Sequence, residues 1–167
     1  MNGEITPKLL IAGRLAREYV ILSTKQTLQD VPGGNVLYAA AGLTIWEPGQ
    51  PPGLLARVGE DYPQEWLEEM KRYGYDTRGI RVLPEAVDLR SFSFYTDRIT
   101  RKSDDPVVHF ARMEISFPKA LLGWRPQPPQ PDSRTRPNIC SLRQSDVPID
   151  YREAQGIHSL GKEAIHL

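Results

Sequence analysis

Asp30-Val31-Pro32-Gly33-Gly34-Asn35-Val36-Leu37-Tyr38-Ala39-Ala40-Ala41-Gly42-Leu43-Thr44-Ile45-Trp46 is the stretch that decides the fold. An extended run, Thr27 to Val31, stops at Pro-Gly-Gly and passes at once into an Ala-rich apolar segment. Proline fixes φ and glycine permits conformations closed to other residues, so together they punctuate the chain. Asn35 to Trp46 is apolar on most faces, which predicts a helix buried all round. Pro48 to Pro52 closes it.

The pattern continues on both sides. Upstream, Lys8-Leu9-Leu10-Ile11-Ala12-Gly13 reads as a buried parallel strand opening into a loop. Glu18 to Leu22 is a second extended run. Downstream, Leu54-Leu55-Ala56-Arg57-Val58-Gly59 is another buried strand ending in Gly. Pro63 to Tyr73 sets Trp66, Leu67 and Met70 at helical spacing, with Glu65, Glu68, Glu69, Lys71 and Arg72 largely opposite. That is an amphipathic surface helix, stopped by Gly74. Ile80 to Leu83 reads as a short strand, and the alternation from Leu89 to Thr96 as a half-exposed one. Strands alternating with helices predict an α/β layered domain with a largely parallel sheet.

The second half has fewer signals. Pro126, Pro128, Pro129, Pro131 and Pro137 make Arg125 to Pro137 an extended surface loop. Ile139 to Leu142 is read as a strand, Tyr151 to Gln155 as a helical turn, and Ala164 to Leu167 as a strand cut short.

The bulk numbers narrow the function. The 167 residues suffice for one ordinary core. Lys+Arg and Asp+Glu are both 21, a balance that offers no footprint for nucleic acid or an anionic membrane. No run approaches the length of a membrane span, and the first residues lack the pattern of a signal peptide, so a cytoplasmic location is expected. The single cysteine, Cys140, fits a reducing compartment and reads as a small core residue. There is no Gly-x-Ser-x-Gly and no phosphate-loop Gly-Lys-Ser/Thr.

Four segments, in order, resemble the ribokinase-like (PfkB-type) carbohydrate kinases. They are the strand Leu9 to Gly13 followed by the acidic Glu18; Asp30 to Gly34 running into the Ala-rich helix; Ala56-Arg57-Val58-Gly59-Glu60-Asp61; and Tyr73-Gly74-Tyr75-Asp76-Thr77-Arg78-Gly79-Ile80. The match covers residues 8–96 and is loose from 97 to 167. It implies an α/β ribokinase-like three-layer fold with a small β lid, incomplete and limited to the N-terminal half. Residues 1–124 would be the substrate-side part, 125–137 a Pro-rich loop, and 138–167 a truncated continuation. It also implies that Gly33 and Gly34 lie against a sugar or nucleoside, that Glu18 accepts hydrogen bonds from its hydroxyls, and that Tyr38 stands at a substrate position. No nucleic acid or membrane partner is expected, and a homodimer through the lid sheet is.

The sequence also departs from the family pattern. Tyr38 stands where the family commonly has a substrate-binding Asn, Ala16 replaces another, and Glu18 replaces the usual Asp. The family's Gly-Ala-Gly-Asp motif, which carries its catalytic base and phosphate cradle, does not occur in these 167 residues. No residue here is therefore assigned as catalytic. ATP and Mg are implied for a full-length member and are not expected to bind this chain alone. The leading expectation is a partial kinase. A non-catalytic binding protein or an inactive gene fragment of the same fold is the alternative.

Plainer roles are also open. Gly33-Gly34 could be a tight turn without a ligand, Tyr38 a core residue, and Glu18 a solvated charge paired with Arg14 or Arg17. Asp61 is expected to cap or precede the helix starting near Pro63. Trp46, Trp66 and Trp124 read as packing residues, and His109, His158 and His166 as non-ligands for want of metal-ligand spacing.

Overall fold

The computed structural model describes residues 6–103, 105–114, 116 and 141–160. Cys140, Trp124, His166, the stretch 125–137 and Ala164 to Leu167 lie outside the described residues. The elements run β1 (Leu9–Ala12), β2 (Ala16–Ile21), β3 (Thr27–Gly33), α1 (Asn35–Trp46), β4 (Gly53–Val58), α2 (Gln64–Arg72), β5 (Ile80–Val82), β6 (Arg90–Tyr95), β7 (Arg101–Ser103), α3 (Pro106–Arg112) and β8 (Gly156–Ser159). Short 3₁₀ turns at Gln144–Asp146 and Ile149–Glu153 precede β8. The chain forms two compact units, one of Met1–Leu15, Gly33–Leu89 and Asp132–Leu167, the other of Ala16–Pro32 and Arg90–Pro131.

The first unit is built on a four-stranded parallel sheet in the order β5-β4-β1-β8. β1 and β4 are covered on both faces, which is why their sequences are apolar but for Arg57. On one face Ile11, Leu54, Ala56 and Val58 meet Val36 and Ala40 of α1 and Leu67 and Met70 of α2. On the other, Leu10, Ala12 and Leu55 meet Leu142 and Tyr151 from the segment before β8.

Arg57, on the otherwise apolar β4, is buried with Asp146. Its Nε lies 3.0 Å from Asp146 Oδ2, close enough for an ion pair though not aligned as a hydrogen bond, and its Nη2 donates to Oδ1 at 3.5 Å. Asp146 Oδ2 also accepts the Arg143 N–H at 2.7 Å.

A second charged cluster joins the β4–β5 connection to the segment before β8. The Arg78 guanidinium lies 2.6 Å from Asp76 and 2.9 Å from Asp150, and sits 5.3 Å above the Tyr151 ring. Burial alone would raise the Asp76 carboxyl, but hydrogen bonds from the Arg78 side chain and N–H outweigh it and hold the group below its usual range. A carboxylate depressed in the folded state stabilises above its unfolded pKa, and that contribution is lost as pH falls through the folded value. Thermal melts should therefore show stability falling below about pH 4, where an unperturbed Asp titrates. Asp76→Asn should be less stable than the parent at pH 7, and that gap should shrink by pH 3. A gap independent of pH would contradict this.

The second unit carries a four-stranded sheet in the order β3-β2-β6-β7. β2 and β6 run parallel and β6 and β7 antiparallel. Tyr19, Phe92 and Phe110 of α3 form its aromatic core. Tyr19 and Phe92 stack at 4.9 Å, with Phe110 edge-on to both. Asp105 starts α3 by accepting the Val107 N–H, and Pro106 follows at the first helical position. The β6–β7 turn is held by Asp97, whose carboxyl is lowered to about 2 by its hydrogen bonds from Thr100 and Ile99.

Several expectations need correction. α1 is not buried all round: Val36 and Ala40 are buried, whereas Tyr38, Ile45 and Trp46 are 55%, 79% and 85% exposed. A helix resting on one sheet face buries one stripe, and its apolar composition on every side gave no sign of which. Tyr38 and Trp46 are thus not core residues. Trp66 is partly buried and meets Tyr62 edge-on. Asp61 precedes α2 but does not cap it; the helix begins after Pro63 without a side-chain cap. Its carboxylate instead accepts the Val87 N–H at 2.8 Å and ties down the loop before β6. β6 does not alternate cleanly, since Phe92 and Ser93 are both buried. Ser141 and Leu142 are not in a strand.

Candidate functional site

Gly33 ends β3 and Gly34 precedes α1. Gly34 has φ 99° and ψ 160°, a region essentially closed to residues with a Cβ. The chain thus turns from strand to helix on backbone alone. The helix start is fastened to the loop after β1. Asn35 Oδ1 accepts the Arg14 N–H at 2.7 Å, Asn35 Nδ2 donates to the Leu160 carbonyl at 3.0 Å, and the Val36 N–H donates to the Arg14 carbonyl at 3.3 Å. The first turn of α1 is therefore not a row of open N–H groups, as a bare helix start would be. Tyr38 lies one turn further on, and its N–H donates to the Gly34 carbonyl.

Glu18 belongs to the second unit, in β2. Its side chain is 3% exposed, so it is not a solvated charge. Arg17 binds Asp30 through two contacts of 2.8 and 2.6 Å. Glu18 Oε1 instead faces Arg101 Nη2 of β7 at 3.6 Å. A carboxylate is costly to bury without a counter-charge, and Arg101 supplies one. The sequence gave no hint of this pair because 83 residues separate its members, and β7 itself was not foreseen.

Gly33, Gly34 and Tyr38 thus share one strand–turn–helix segment, and Glu18 and Arg101 share one sheet. Chemically, the first offers a close approach of backbone and an aromatic ring, the second an acceptor beside a donor-rich cation. Among the described residues no group of three His, Cys, Asp or Glu side chains is arranged to hold a metal ion. No described helix is long and apolar enough to cross a membrane.

No family model and no curated protein matches the chain. Solved structures do. A nucleoside kinase from Burkholderia thailandensis in complex with inosine is 19% identical, over 57% of this chain and 34% of that one, at a TM-score of 0.45. A sugar kinase from Pyrococcus horikoshii is 23% identical, over 58% and 34%, at 0.44. A ribokinase from Cryptococcus neoformans in complex with ADP is 17% identical, over 57% and 33%, at 0.43. Over somewhat more than half its length, this α/β chain is similar to sugar and nucleoside kinases of known structure, and it spans about a third of theirs.

Proposed function

We propose that this chain is the substrate-side part of a ribokinase-type sugar or nucleoside kinase, whose full-length form transfers the γ-phosphoryl group of ATP to a substrate hydroxyl. The observation that carries the reading is the backbone-only turn at Gly34. It falls at the position of the family's Gly-Gly turn, between the strand and the helix that the motif series calls for, and it keeps a conformation that other residues cannot adopt. The buried carboxylate of Glu18 supports the same reading, because a polyol site needs an acceptor of fixed direction.

In this reading Gly33, Gly34, Tyr38 and Glu18 are the candidate acceptor-binding residues. The base and the phosphate cradle belong to the Gly-Ala-Gly-Asp region, and ATP and Mg to the full-length protein. Phosphoryl transfer rests on positioning and on charge neutralisation, so this chain alone is expected to bind an acceptor and not to phosphorylate it.

Titration calorimetry with D-ribose, D-fructose, D-glucose and adenosine tests the reading. At least one should bind saturably, and Glu18→Gln should weaken that binding about ten- to a hundredfold, the range for a lost hydrogen bond to a charged group. No binding by a sample that melts cooperatively would sink it. A non-catalytic binding protein of the same fold is the second reading. It is favoured by exposed Tyr38, whose ring offers a stacking surface where the family has an amide. An in-frame Gly-Ala-Gly-Asp sequence downstream in the gene favours the kinase, and its absence the binding protein.

A further inference from the structure

The small sheet of the second unit has one aromatic face and one polar face. Residues directly opposite on paired strands share a face, and neighbours along a strand alternate. Tyr19 pairs with Phe92, and both lie in the aromatic core with Phe110. The pairs Glu18–Ser91, Val20–Ser93, Ser93–Ser103 and Tyr95–Arg101 therefore occupy the other face. The contact between Glu18 and Arg101 agrees with that assignment.

On this face Ser93 is 1% exposed, and its Oγ has no hydrogen-bond partner among the described residues. A buried hydroxyl without a partner loses its hydration with nothing to offset it, whereas Ala would fill the same place without that cost. Val20, directly opposite on β2, offers the hydroxyl no polar group, and Ser103, directly opposite on β7, makes no hydrogen bond to it. One residue pair along, Glu18 holds the buried carboxylate.

We infer that Ser93 is a further substrate-binding residue, reading a second hydroxyl of the polyol whose first hydroxyl donates to Glu18. The inference rests on the proposed function above and narrows it to acceptors carrying two nearby hydroxyls. Glu18 and Ser93 are diagonal neighbours across β2 and β6, and no hydrogen bond closes the gap between them. Two hydroxyls of one sugar ring can span that gap. Ser93 Oγ donates to or accepts from one, and Glu18 accepts from the other.

The test is the variant Ser93→Ala in the whole chain, titrated against D-ribose and 2-deoxy-D-ribose, D-glucose and 2-deoxy-D-glucose, and adenosine and 2′-deoxyadenosine. For the hydroxylated sugar or nucleoside that the parent binds, Ser93→Ala should weaken affinity about three- to tenfold. For the analogue lacking the hydroxyl that Ser93 reads, parent and variant should bind alike. The variant's unfolding midpoint should stay the same or rise, because an unpaired buried group is removed. A purely structural serine gives a different result, namely unchanged affinities and a lower midpoint, and that result overturns the inference alone. If the parent binds neither these six compounds nor D-fructose, the proposed function falls and this inference falls with it.

Discussion

Asp146→Ala should destabilise the first unit by about 3–5 kcal/mol, the usual cost of removing one partner from a buried ion pair. Arg57 projects from a strand whose six residues are all buried, and its side chain is 7% exposed. Without Asp146 the guanidinium keeps its charge on a buried strand and loses the carboxylate that offsets it. The Arg143 N–H loses its acceptor in the same step. Urea unfolding followed by circular dichroism measures the loss, and thermal melts should shift by on the order of 10 °C. The double variant Arg57→Met, Asp146→Leu separates the penalty from the worth of the pair. Well-packed apolar replacements of buried ion pairs are often neutral or stabilising, so this variant should recover most of the stability. An Asp146→Ala protein within 1 kcal/mol of the parent would show that Arg57 is not confined as described.

Gly59→Ala should cost about 3 kcal/mol, for a steric reason rather than an electrostatic one. A Cβ on Gly59 would lie 2.3 Å from Val87 N, 2.4 Å from Asp61 Oδ1 and 2.8 Å from the Glu85 carbonyl. Two of these three atoms are backbone, so no side chain can swing aside. The loop from Leu83 to Leu89 must move, and with it the hydrogen bonds from Val87 N–H to Asp61 and from Glu60 N–H to the Glu85 carbonyl. Faster hydrogen exchange at the Val87 amide, together with a lowered urea midpoint, is the expected signature. Unchanged exchange at Val87 would mean that the loop does not press on Gly59.

The contrast between the two halves of the chain shows what a sequence can carry. Asn35 to Trp46 was legible to the residue, because Pro-Gly-Gly before it and Pro48 after it are local signals. β1 and β4 were legible as apolar runs. Asp105-Pro106 is an equally local signal, though the helix it opens, α3, is only seven residues long. β8 was not legible at all. Gly156-Ile157-His158-Ser159 is mostly exposed and carries no apolar pattern, and only its register against Leu9–Ala12 makes it a strand. Site residues divide in the same way. Gly34 announced its turn through its own backbone freedom. The contact of Glu18 with Arg101 and the tie from Asp61 to Val87 were not legible, because ion pairs and loop ties depend on which strands become neighbours, and residue type does not encode that.

β8 also bears on how the molecule is made. β1 leaves the ribosome first, yet one of its two neighbours follows about 140 residues later, and at roughly 5–20 residues per second that interval is on the order of ten seconds or more. Until then the Leu9–Ala12 ribbon has β4 on one side and an unfilled rank of amides and carbonyls on the other, in a wholly apolar stretch. The nascent protein therefore passes through a sticky interval during synthesis, and holding chaperones should engage it there more than in the finished fold.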